Sequence, residues 1–183
     1  MVRPRRLEDD ELLARIVGAL EQRADLTPWS LQDVAPAAGI GPAGLIKRFG
    51  SKVGLLHALT RRWIQLIPHG PLPEGREADA ELREYVSREF GADSAAGAVY
   101  ALSEVLSELQ EPELVALLAE GWRRQAARLA ELLAGMDLSH LADAEAGGTL
   151  LLDALHGSLF RSAVNLGRTS PLTTLEHFLE MWR

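Results

Sequence analysis

No cysteine occurs among the 183 residues, which excludes disulfides, thiolate metal sites and thiol redox sensing. Aromatic residues make up only 5% of the chain. β-Branched residues are sparse, while Leu and Ala are abundant and recur at spacings of three and four. This balance predicts an all-α fold. No run of 18 or more apolar residues is present, so no helical membrane span is expected. The opening stretch MVRPRRLEDDELL has basic residues but no apolar core behind them, so a secretory signal is not expected and a cytoplasmic protein is. The phosphate-binding pattern GxxxxGK[ST], the zinc helix HExxH and the serine elbow GxSxG are all missing. The histidines His57, His69, His140, His156 and His177 are scattered without metal-ligand spacing. No catalytic residue, metal or cofactor is therefore expected, and the chain does not read as an enzyme.

Acidic residues are missing from one stretch as well. Between Val34 and Pro73 there is no Asp or Glu, yet Lys47, Arg48, Lys52, Arg61 and Arg62 all lie there. The chain has only two lysines, and both are in this stretch. Residues 1–67 carry ten Lys/Arg against seven Asp/Glu, a net +3, within a chain whose net charge is −7. An acidic protein that concentrates positive charge in this way points to a localised polyanion contact.

The same stretch holds the clearest local pattern, SLQDVAPAAGIGPAGLIKRFGSKVGLL over residues 30–56. Ser30 is a good N-cap and Asp33 stands where the acid of a capping box belongs, so a helix opens at Leu31. Gly39 is placed to end it in a left-handed conformation. Pro42 suits the first position of a second helix, which Gly50 stops before Ser51 caps a third. Leu45 and Phe49 face inward, and Lys47 and Arg48 are left pointing outward. Two short helices across a glycine turn form a helix-turn-helix, whose second helix enters the DNA major groove. Pro36 resists the pattern, and a kink or early end is expected there.

Elsewhere the periodicity predicts helices over about 7–23, 52–67, 76–90, 94–109, 112–133, 142–166 and from Pro171 onward. With the two short ones this makes nine, four before and five after the proline-rich loop 68–75. The basic arm Arg3, Arg5 and Arg6 could reach into a minor groove.

The spacing Asp33-Val34-Ala35, Ala38-Gly39-Ile40, Leu45, Phe49, Ser51-Lys52 and Leu55-Leu56 resembles the tetracycline-repressor (TetR) family of bacterial transcriptional regulators, without gaps over about 27 residues. The resemblance implies a three-helix DNA-binding head (1–51, with the arm 1–6), a connecting helix (52–67) and a ligand-binding and dimerising body (68–183). It implies a homodimer on a palindromic operator of double-stranded DNA, nucleoid-associated when bound and released by a small, mainly apolar effector. Ser30, Gly41, Pro42, Ala43, Ile46, Lys47 and Arg48 then belong to the DNA-binding surface, and Lys52 meets a backbone phosphate. The sequence departs from the family at Gly41, Gly44, Ile46 and Arg48, where hydroxyl or aromatic residues are usual. Fewer phosphate contacts are implied, with Ile46 free to touch a thymine methyl.

By the same resemblance, helices bearing Trp63, Phe90, Tyr100, Trp122, His156 and Phe160 surround the effector pocket, with Ser103 and Glu104 as polar contacts. The last two helices pair with a second copy. Leu151, Leu155, Gly157 and Ser158 would serve this on one helix, and Leu172, Leu175, Phe178, Leu179 and Trp182 on the other. A helical protein-interaction module without DNA binding, or a helical enzyme with an assembled site, are the alternatives.

Overall fold

The computed structural model describes residues 8–23, 27–72, 74–91, 109–164 and 170–183. Eight α-helices and no strand occur among these residues: α1 (Asp9–Glu21), α2 (Leu31–Ala38), α3 (Pro42–Phe49), α4 (Lys52–Leu66), α5 (Ala78–Phe90), α6 (Pro112–Ala134), α7 (Ala144–Val164) and α8 (Pro171–Trp182). The arm and the helix expected over 94–109 lie outside the described residues. None of the described helices is long and apolar enough to cross a membrane.

Most helix starts follow from local chemistry. Ser51 accepts the N–H of Gly54 at 3.0 Å, Glu111 that of Leu114 at 2.9 Å and Ser170 that of Thr173 at 3.1 Å. Each satisfies a donor that the first helical turn cannot pair internally. Pro112 and Pro171 occupy first-turn positions, where a missing N–H costs nothing. Pro36 lies inside α2, and the helix ends two residues later at Ala38. Little ladder remains beyond it to lose.

Buried side chains form two clusters. The first joins Leu12 and Ile16 of α1, Val34 and Ala38 of α2, Leu45 of α3 and Leu55 of α4. The second gathers Leu82, Tyr85 and Val86 of α5, Leu129, Leu132 and Leu133 of α6, Leu151 and Leu155 of α7 and Leu179 and Trp182 of α8. The proline-rich loop between them is docked. Arg128, almost fully buried, donates to the Gly70 carbonyl at 2.9 Å and to Glu131 at 3.0 Å.

The longest helices, α6 and α7, pack across Gly148. A Cβ built there would sit 2.5 Å from the Ala126 carbonyl oxygen and 2.7 Å from the Ala130 nitrogen. The glycine that weakens α7 by propensity is thus what lets two backbones meet. Gly148→Ala is expected to lower stability by about 1–3 kcal/mol, overpacking outweighing the gain in helix propensity. Urea denaturation of the variant checks this, and an unchanged or raised midpoint would contradict it.

Candidate nucleic-acid interface

Trp29, buried beneath the start of α2 together with Val34, holds the chain at its entry angle as a hydrophobic staple does. The Asp33 carboxylate accepts from the N–H of Ser30 at 2.7 Å and from its hydroxyl at 2.9 Å. The bond from the Ser30 N–H, followed by that from its hydroxyl, holds the Asp33 carboxyl below its ordinary value, and Arg23 and Lys52 add to the effect. Gly39 ends α2 at φ +66°, a left-handed conformation that costs a glycine nothing. Pro42 then opens α3 with Gly41 as its N-cap.

Leu45 is the fully buried residue of α3. With 100° between successive residues, burying position 45 turns Ala43, Ile46 and Lys47 toward solvent, and all three are exposed. Ile46 is 48% exposed. Lys47 has no hydrogen-bond or ion-pair partner among the described residues.

The other cations are arranged differently. Arg48 is ion-paired with Asp9 of α1, and its side chain is only 15% exposed. Arg62 of α4 pairs with the neighbouring Asp10 at 2.8 Å. Lys52 donates to the Trp29 carbonyl and lies 4.3 Å from the centroid of the Trp29 ring. Three of the five cations in the acid-free stretch therefore brace the head from within. These braces escaped the sequence reading because Asp9 and Arg48 are 39 positions apart, and Asp10 and Arg62 are 52 apart. The acidic first turn of α1 read only as favourable dipole chemistry.

The run Gly39-Ile40-Gly41-Pro42-Ala43-Gly44 also spells GxGxxG. That pattern cradles a dinucleotide only where a strand leads into it. Here it follows α2, so it is a helix-turn-helix corner.

Three solved structures share this arrangement from end to end. A protein assigned to the TetR family of transcriptional regulators, from Rhodococcus sp., matches with a TM-score of 0.63 at 19% identity over 94% of this chain and 97% of that chain. The fold is that of a TetR-family regulator. A transcriptional regulator from Rhodococcus sp. Rha1 matches at 0.62 and 18% identity, over 96% of this chain and 94% of that one. One from Pseudomonas aeruginosa PAO1 matches at 0.57 and 18%, over 99% and 92%. No protein-family model and no curated protein matches the chain.

Within this TetR fold the body corrects several assignments. Leu151, Leu155, Ser158, Leu175, Leu179 and Trp182 are buried inside the protomer, so they build its core and present no surface to a partner. Phe160 is 49% exposed, which takes it off any internal pocket. Trp63 packs instead on α6, where a Cβ on Gly121 would lie 2.1 Å from its ring. Tyr100, Ser103 and Glu104 lie outside the described residues. The remaining aromatic candidates do come together, His156 lying 5.4 Å from Phe90 and 5.3 Å from Trp122 between ring centroids. Burial pushes the His156 imidazole below its ordinary value, opposed by Asp153. In the same body, the Tyr85 hydroxyl and the Gln125 amide oxygen are buried without a hydrogen bond of ordinary geometry among the described residues. Burial drives the Tyr85 phenol upward.

The surface of α7 and α8 carries a feature of its own. An open groove of about 450 Å³ runs between Ala154, Gly157 and Arg161 on one helix and Thr174, His177 and Phe178 on the other. Leu150, Phe160 and Met181 are exposed on these two helices. Of the residues expected at a dimer contact, Gly157 and Phe178 line this groove, and Leu172 is exposed on α8.

At the capping box the sign of the pH effect is fixed. The folded pKa of Asp33 lies below its ordinary value of 3.8, so its contribution is complete above about pH 4 and is lost as pH falls through the folded value. Asp33→Asn is expected to be less stable than the parent at pH 7, with a narrower gap at pH 3. Urea denaturation at the two pH values measures it, and a gap that widens in acid would refute the assignment.

Proposed function

We propose that this chain is a dimeric DNA-binding transcriptional regulator, whose α3 enters the major groove of double-stranded DNA. The observation that carries the reading is Lys47, solvent-facing and unpaired among the described residues, on a helix whose other side is locked by Leu45 and Arg48. Two heads would engage a palindromic operator with their α3 helices about 34 Å apart, one turn of DNA. The body would take a small, mainly apolar effector beside Phe90, Trp122 and His156, and its binding would release DNA, making the protein a repressor. The supporting chemistry is an aromatic cluster with a few buried polar groups nearby, as small-molecule sites have.

Head and body meet along α4, which offers a route for that release. His57 Nε2 lies 3.0 Å from Glu111 and Nδ1 lies 3.4 Å from Glu113. A body conformation that shifts the start of α6 would therefore pull on α4 and change the spacing of the heads.

Binding to a random pool of double-stranded DNA, followed by fluorescence anisotropy across salt concentrations, tests the DNA contact. Affinity is expected to fall steeply with salt, and Lys47→Ala to weaken it about tenfold or more. Salt-independent binding, or none, would favour a head that docks on protein.

The groove between α7 and α8 supports self-association through this face. Among the described residues a Cβ on Gly157 meets nothing within 4 Å, so they leave room for a larger residue there. Gly157→Arg is expected to leave helix content unchanged and to raise the dimer dissociation constant by about tenfold or more, as a charge forced into an interface centre does. Sedimentation at micromolar concentration reads this out, and a variant still fully dimeric would move the interface elsewhere.

A further inference from the structure

We propose that α3 tells base pairs apart chiefly by the C5-methyl group of pyrimidines, with Ile46 and Ala43 as the reading surface and Lys47 beside them. This rests on the DNA-binding reading above and specifies what the helix recognises.

The exposed face of α3 has a restricted chemistry. Ala43, Ile46 and Lys47 stand at positions i, i+3 and i+4 and are the exposed side chains of the helix. None is a hydroxyl, an amide or a carboxylate. The pairs that identify adenine through Asn or Gln, or cytosine through Asp or Glu, therefore have no donor or acceptor on this face. Arg48 is the one further side chain of α3 that could form a fork to guanine, and Asp9 holds it against α1. Lys52 is likewise tied to the Trp29 carbonyl and ring.

What remains is an apolar branched side chain, 48% exposed, flanked by a methyl and an ammonium group. Set against a base edge without a methyl, Ile46 leaves water for a polar surface and gains little. Set against a thymine methyl, both apolar groups leave water together. 5-Methylcytosine presents the same methyl in the same groove, so it should satisfy Ile46 where cytosine does not. Lys47 supplies attraction to phosphate or to guanine, but as a point charge it discriminates less than a planar fork.

The test starts from double-stranded DNA selected by the full-length protein out of a random-sequence pool. Each thymine of the selected site is then replaced singly by deoxyuridine, which removes the methyl and leaves pairing intact. At one or two positions in each half-site, affinity by anisotropy is expected to fall about fourfold, the factor that withdrawing one methyl from burial implies. At those positions a 5-methylcytosine·guanine pair should bind more tightly than cytosine·guanine. Ile46→Ala should still bind the site but lose its sensitivity to deoxyuridine. Indifference to every deoxyuridine, or sensitivity that persists in Ile46→Ala, overturns the methyl reading and leaves DNA binding standing. A selection that enriches no sequence, although the protein binds the pool, does the same. A protein that binds no member of the pool overturns both.

Discussion

Everything that the head offers to a partner depends on the burial of Leu45. An eight-residue helix is too short to be stable alone, so α3 exists because one side of it is anchored among Leu12, Ile16, Val34 and Leu55. Removing one such leucine from water contributes about 1.5–3 kcal/mol. The same anchor sets the rotation of α3 about its axis, and with it which side chains face outward.

Charge then ties α1 to its neighbours. Asp9 and Asp10 sit side by side in the first turn of α1, and each takes a guanidinium from a different helix, Arg48 from α3 and Arg62 from α4. Exposed ion pairs contribute little to stability in general. Here their consequence is positional: the acidic end of α1 clamps the two helices that flank Gly50, and it removes two cations from the surface. Among the described residues, the outward charge of the head is smaller and more local than its composition suggests. The head is also tied to the body by side chains, through His57 against the start of α6 and through Trp63 over Gly121.

The local devices were legible before any coordinates. The Ser30–Asp33 box, the left-handed Gly39, Pro42 at a helix start and the Ser51 cap each involve residues within four positions of one another. Short-range hydrogen bonding and steric limits decide them whatever the rest of the chain does. The long apolar stripes were equally clear, which is why the described helices after the proline-rich loop fell close to their expected places. The assignment of those stripes to partners was less secure. Leu151, Leu155, Leu175 and Leu179 read as surplus apolar surface for a second copy, and they fill the protomer's own core. Periodicity reports that a residue is buried and is silent on what buries it.

By itself, then, the sequence determined the all-helical class, the corner between α2 and α3 and the concentration of positive charge around it, because propensity, capping and composition act over a few residues. Only tertiary structure decided which of those charges reaches solvent. Arg48 and Lys47 are neighbours in the chain, yet one is drawn to a carboxylate 39 positions away and the other is left unpaired among the described residues. A Coulombic contact between distant segments exists only once packing has brought them within a few ångströms, and no local pattern encodes that distance.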